Sequence, residues 1–248
     1  MRIKSILTGA ISGFVALPVC AEEGLEIIGQ PVADGIGFQP AATKLARDLQ
    51  WLDGMVLIII TAITVFVLGL LAYVIVRYNR KANPTPSTFT HNSPVEVAWT
   101  VIPIVILVFI GAFSLPVLFD QQKIPEGEVN IKVTGYQWYW GYEYVDEGFE
   151  FESFLIGDGK VLTPEVELEL QEAGYTRDQF LLATDTAVVV PVDKTVVMQV
   201  TGADVIHSWT IPAFGVKQDA VPGRLGQLWF KAENCLLYTS DAADEELR

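Results

Sequence analysis

A chain of 248 residues has room for one or two domains, but 51% hydrophobic residues and a mean hydropathy of +0.37 exclude a disordered or ordinary soluble protein. A net charge of −14 repels phosphate backbones and argues against a nucleic-acid partner.

The chain opens with Arg2 and Lys4 ahead of an apolar run, Ile6 to Val19, and closes that run with Val19-Cys20-Ala21. This pattern predicts a secretory signal peptide over residues 1–21. Its removal would leave Cys235 as the single cysteine, with no intrachain disulfide available. Residues 22–54 form a polar extracytoplasmic lead-in, within which Thr43 to Asp53 reads as the start of an interfacial helix. Met55 to Val76 carries no charge and is long enough to cross about 30 Å of hydrocarbon, so residues 55–76 are the first predicted span. Residues 77–94 connect it to a second span over residues 95–119, where Pro103 and Pro116 are tolerable in a membrane helix. Arg77, Arg80 and Lys81 place the connecting loop in the cytoplasm and the rest of the mature chain on the opposite side.

From residue 120 to 233 the period becomes alternating, and short strands separated by turns indicate a β-sandwich or barrel. Val129, Ile131 and Val133 alternate with polar residues. Gly135 then reads as a bulge that shifts the parity and puts Tyr136, Trp138, Trp140, Tyr142 and Tyr144 on one face. Further strands are expected at Ala187–Val192, Thr195–Thr201, Val205–Ile211 and Gln227–Lys231, with a helix starting at Thr163-Pro164-Glu165. The charge is concentrated here: residues 1–119 balance seven acidic against seven basic side chains, whereas residues 120–248 hold 23 acidic and nine basic. Such acidity serves solubility or attracts a basic protein through salt-dependent attraction.

Two stretches carry candidate chemistry. Gly135 to Tyr144 packs six aromatic rings into ten residues, and Asp204 to Ile211 contains His207, one of only two histidines. The residues alone admit two readings: a sandwich core with one buried histidine, or an aromatic path beside a metal ligand. Glu96, an ionisable residue opening a span, is either an interfacial anchor or part of a function.

With two spans, Gly-Tyr-Gln-Trp-Tyr-Trp-Gly-Tyr-Glu-Tyr, and Ala-Asp-Val-Ile-His-Ser-Trp-Thr-Ile-Pro, the chain closely resembles subunit II of cytochrome c oxidase, in its alphaproteobacterial form. The resemblance extends through His91-Asn92-Ser93-Pro94-Val95-Glu96 and Lys217-Gln218-Asp219-Ala220-Val221-Pro222-Gly223-Arg224 to about Glu233. It implies a two-helix transmembrane hairpin followed by an all-β, cupredoxin-like Greek-key sandwich, in a bacterial inner membrane with the C-terminal domain in the periplasm. It further implies a subunit of a proton-translocating oxidoreductase that takes electrons from cytochrome c through a binuclear copper centre to the haem of subunit I. Partners would be cytochrome c, subunits I and III and the lipid bilayer.

By the same resemblance, His207 matches a copper ligand, Trp138 the electron-entry residue, and Glu143, Glu152, Asp185 and Asp204 the carboxylates that receive cytochrome c. Glu96 matches the mouth of a proton path, while His91 is expected to be structural. The family also binds magnesium or manganese at the subunit I boundary, through a glutamate that this chain lacks. Two bridging cysteines, expected near Ala242 and Glu246, are missing as well, and the second histidine and the methionine would fall beyond Arg248. The sandwich is therefore expected to be incomplete at its C-terminus, with residues 234–248 an aberrant tail that forms no expected strand. Two alternatives follow: a copper-free quinol oxidase subunit II, or a membrane-anchored scaffold without redox activity. The retained His207 and Trp138-Tyr139-Trp140 argue against the quinol enzyme.

Overall fold

The computed structural model describes residues 26–30, 35–85, 87–157 and 161–238; the expected signal peptide and the last ten residues lie outside them. Among the described residues, helix α1 (Lys44–Arg77) and helix α2 (Ser93–Gln122) are the two helices long and apolar enough to cross a membrane. Each starts on a side-chain cap: Thr43 Oγ1 accepts from the Ala46 N–H, and Asn92 Oδ1 from the Val95 N–H. Proline in the interior of α2, at 103 and 116, does not interrupt it.

The first predicted span is the middle of a longer helix. At 1.5 Å per residue α1 runs for about 50 Å, well beyond the ~30 Å hydrocarbon layer. Its first turns therefore stand outside the span, where the β domain grips them. Interfacial start and span form one continuous helix.

The domain is built on a five-stranded sheet, ordered β4 (Phe149–Phe154), β3 (Tyr139–Tyr144), β2 (Val129–Tyr136), β5 (Val196–Gly202) and β8 (Gly226–Phe230). Only the β2–β5 pairing is parallel within it. A hairpin of β6 (His207–Ile211) and β7 (Val216–Ala220) packs on this sheet. Ile131, Val133, Met198, Val200 and Phe230 from the sheet meet Trp209, Phe214 and Ala220 from the hairpin region in one core. Helix α3 (Pro164–Glu172) begins at its Thr163 cap as expected, and buries Leu170 against Ile156 and Ala183 in a separate small cluster.

Four expectations change. Strand β2 runs unbroken from Val129 through Gly135 to Tyr136 with strict in–out alternation, so Gly135 is no bulge. The change of face comes at the Gln137–Trp138 turn, which leaves Trp140, Tyr142 and Tyr144 inward and Tyr136 on the opposite side. Residues 187–192 form no strand: Tyr144 Oη donates to the Val189 carbonyl (2.7 Å) and accepts from the Val189 N–H (2.9 Å), satisfying there what a ladder partner would. In the tail, Leu236–Tyr238 forms β9, paired in parallel with β1 (Glu26–Ile28). Cys235 is disulfide-bonded, contrary to the expected lone thiol. The other cysteine, Cys20, lies outside the described residues.

The β6–β7 hairpin is also the strut between membrane and domain. At its tip, Ala213 and Phe214 offer their carbonyls to the Ala42 N–H (2.8 Å) and Thr43 Oγ1 (2.7 Å). Arg47 forks onto Glu233 at 2.6 and 2.8 Å, and Trp229 Nε1 donates to the Asp120 carbonyl at 3.1 Å. The Arg47 hydrogen bond holds the Glu233 carboxyl below its ordinary value, against a smaller opposing effect of burial. A depressed acid contributes stability above its unfolded pKa and loses it as pH falls through the folded one. Hydrogen exchange at Ala46 and Arg47 is therefore expected to speed up as pH drops below about 4, after correction for intrinsic exchange. Arg47→Gln should remove that acid dependence; an unchanged profile would show that the pair does not hold the junction.

Candidate electron-entry site

Everything singled out in the sequence near Trp138 and His207 meets at one end of the sheet. Trp138 sits in the turn between β2 and β3 with 57% of its surface exposed. Beside it, on the outer face, Tyr139 stacks between Tyr136 and Phe154, each at a centroid distance of 4.6 Å. On the inner face Trp140 is buried, and its ring meets the His207 imidazole edge-on at 5.8 Å. One hairpin turn thus carries an exposed tryptophan and a buried one.

His207 opens β6, its side chain only 8% exposed. Nε2 lies 2.7 Å from Asp204 Oδ1. Asp204 also accepts the Val205 N–H on Oδ1 (2.7 Å) and the Gln137 N–H on Oδ2 (2.8 Å). The His207 hydrogen bond, with help from the two backbone donors, holds the Asp204 carboxyl at about 2. Gly135 makes the approach possible, since a Cβ there would lie 2.8 Å from His207 Cδ2 and 3.0 Å from Trp140 Cζ3. Gly202 is equally constrained, because its Cβ would meet the Val205 and Ala220 carbonyls at 2.6 and 2.7 Å.

The other expected carboxylates line the same outer face at increasing distance. Register sets Tyr139 opposite Phe154, Gly141 opposite Glu152, and Glu143 between Lys132 and Glu150. Successive rows are two residues apart, roughly 7 Å. Glu152 is exposed and hydrogen-bonds Tyr139. Glu143 is half-buried and paired with Lys132 at 2.9 Å. Asp185 Oδ1 accepts the Phe154 N–H at 2.8 Å, which places it beside the aromatic stack. Glu96 is far away along the chain, in the first turn of α2, where its carboxylate accepts the Asn92 N–H at 3.2 Å. His91 is exposed in the preceding loop.

Comparison with known proteins now decides the family. The profile of the cytochrome C oxidase subunit II periplasmic domain matches residues 129–244, and that of its transmembrane domain matches residues 31–117. The chain belongs to the cytochrome c oxidase subunit II family. It is 61% identical to cytochrome c oxidase subunit 2 of Cereibacter sphaeroides, over 94% of this chain and 80% of that one. It is 41% identical to the probable cytochrome c oxidase subunit 2 of Rickettsia prowazekii, over 87% of this chain and 65% of that one. The crystal structure of the periplasmic domain of subunit II of cytochrome oxidase from Bradyrhizobium japonicum shares 46% identity over 45% of this chain and 68% of that one, with a TM-score of 0.35. As a family member the chain is a subunit of an oxidoreductase complex, partners other oxidase subunits, and anchors a periplasmic domain in the inner membrane through its two helices. The family match also runs past Glu233, where resemblance was expected to end.

The family implies a copper centre, and the described residues do not fit it. Among them no group of three or more His, Cys, Asp or Glu side chains is placed to hold a metal ion. His207 has Nε2 committed to Asp204, and Cys235 is in a disulfide. Near His207, Trp140 Nε1 is buried without a hydrogen-bond partner, and an indole N–H donates and cannot ligate. One imidazole cannot replace bridging thiolates.

Sequence reading located Trp138 and His207 but missed Gly135 and the Gln137 N–H as parts of the site. The glycine had a signal, its place immediately before a dense aromatic run. The backbone donor had none.

Proposed function

We propose that this chain is the electron-entry subunit of the oxidase, docking cytochrome c on the face around Trp138 and passing its electron inward past Trp140 towards His207. The observation that carries this reading is the exposed Trp138, held by its own turn next to a histidine whose side chain is buried. Glu152 and Asp185 beside the aromatic stack, with Glu143 farther along the sheet and Asp204 under the turn, give the face the negative charge that a lysine-rich cytochrome would meet. Glu96 would stand at the mouth of a proton path into a neighbouring subunit.

The test is cytochrome c binding to the full chain in nanodiscs at low salt. Rim charges are each worth about 0.2–1 kcal/mol, so Glu152→Gln with Asp185→Asn should weaken binding several-fold. Trp138→Ala should leave affinity nearly unchanged, because the tryptophan supplies electronic contact and the carboxylates supply attraction. The reverse ranking would make Trp138 a docking surface and remove it as a conduit. A second reading, a membrane-anchored scaffold, is favoured by the single imidazole at the site. It predicts no specific cytochrome c binding in either variant or wild type.

A further inference from the structure

The lead-in to α1 lies alongside the helix that it precedes. Gln50 Nε2 donates to the Gln39 carbonyl at 2.7 Å, and Gln39 Nε2 donates to the Gly29 carbonyl at 3.0 Å. Gln50 is seven residues after the Thr43 cap, so Gln39 is held roughly 10 Å down the helix from that cap. Four residues cover this distance only when nearly extended, at ~3.3 Å each. Asp53 is the last charge before the uncharged run of α1, so the hydrocarbon begins four residues, about 6 Å, below Gln50. At this level Gly37, with φ +107°, bends the chain between two apolar side chains, Ile36 wholly exposed and Phe38 more than half exposed. Trp51, next to Gln50 on α1, is exposed as well and meets Phe113 of α2 edge-on at 5.7 Å. Single exposed apolar residues are ordinary. These form a rim continuous with the lipid-facing surface of the two spans, at the depth where aromatic rings prefer the headgroup layer.

We propose that residues 35–39 are a membrane-interface foot, whose Ile36 and Phe38 side chains seat in the headgroup layer of the periplasmic leaflet beside Trp51. The partner is a lipid surface. Residues 35–39 carry no charge, so the contact is apolar and selects no headgroup charge. Gln39 ties the foot to α1 through its carbonyl, and the same helix carries the grip of the β domain at Thr43 and Arg47. A second seat in the bilayer beside the span resists rocking of the domain about α1.

The test uses the full chain in nanodiscs, with trifluoromethyl-phenylalanine replacing one residue at a time: Phe38, Phe109 or Phe154. Phe109 lies in the middle of the second span and Phe154 at the Trp138 end of the sheet, so they mark lipid and water. Fluorine relaxation is measured with dissolved oxygen, which concentrates among acyl chains, and with a nickel chelate, which stays in water. At position 38 nickel should act several-fold less than at 154, and oxygen several-fold more. Ile36→Asp should move both values at 38 towards those at 154, because a carboxylate is costly in the apolar layer. Nickel access at 38 equal to that at 154 overturns the proposal. Protection from nickel without a gain from oxygen would mean that protein covers the ring, and overturns it too. So would a probe at 38 that does not respond to Ile36→Asp.

Discussion

Gly215→Ala is expected to destabilise the β domain by about 3 kcal/mol or more, and to loosen it from the first helix while leaving the membrane hairpin intact. Two effects combine. Gly215 has φ +71°, a left-handed conformation that costs other residues about 1–2 kcal/mol. Its Cβ would also lie 2.7 Å from Ala46 Cα and 2.9 Å from Ala46 N, which are helix backbone atoms with nowhere to go. Gly223→Ala separates the two effects, since its φ is +75° but nothing lies within 4 Å of its Cβ. Denaturant unfolding followed by tryptophan fluorescence should place Gly215→Ala well beyond Gly223→Ala. Equal losses would mean that the hairpin tip does not bear on α1.

This junction explains why the helix starts where it does. Thr43 serves twice, capping α1 and donating to the Phe214 carbonyl, and Arg47, about one turn further on, closes on Glu233. The strut from this junction to His207 is the five-residue strand β6, roughly 16 Å long. The height of the site above the membrane is therefore set by backbone contacts, and loop flexibility has little part in it.

The membrane hairpin was legible because uncharged apolar runs of span length have few other uses, and the sheet because β-branched residues alternate along β2 and β5. What sequence could not give was the use of backbone groups. Residues 187–192 have strand composition, yet the Tyr144 hydroxyl captures the Val189 amide and carbonyl, and no ladder forms. Gly135 looked like a bulge because the aromatic run changes parity just after it. The parity changes at a turn instead, and the glycine is required by the His207 ring. Asp204 matched a docking carboxylate by position, but a sequence does not show that the Gln137 amide and His207 already occupy it. The pairing of β9 with β1 joins segments more than 200 residues apart, which no local pattern encodes.

The acidic outer face makes the second large prediction. Exposed charges act across a Debye length of about 10 Å at 0.1 M salt and much less beyond it. If Glu152, Asp185 and their neighbours attract a basic cytochrome, association should be fast and tight at low ionic strength and collapse as salt rises. The most direct measurement is therefore the Kd of the full chain in nanodiscs for oxidised cytochrome c, taken from about 10 to about 300 mM salt. The proposed function predicts that Kd rises by on the order of a hundredfold or more across that range, with a shallower slope in the variant carrying both Glu152→Gln and Asp185→Asn. A Kd independent of salt, or a slope identical in wild type and variant, would contradict it.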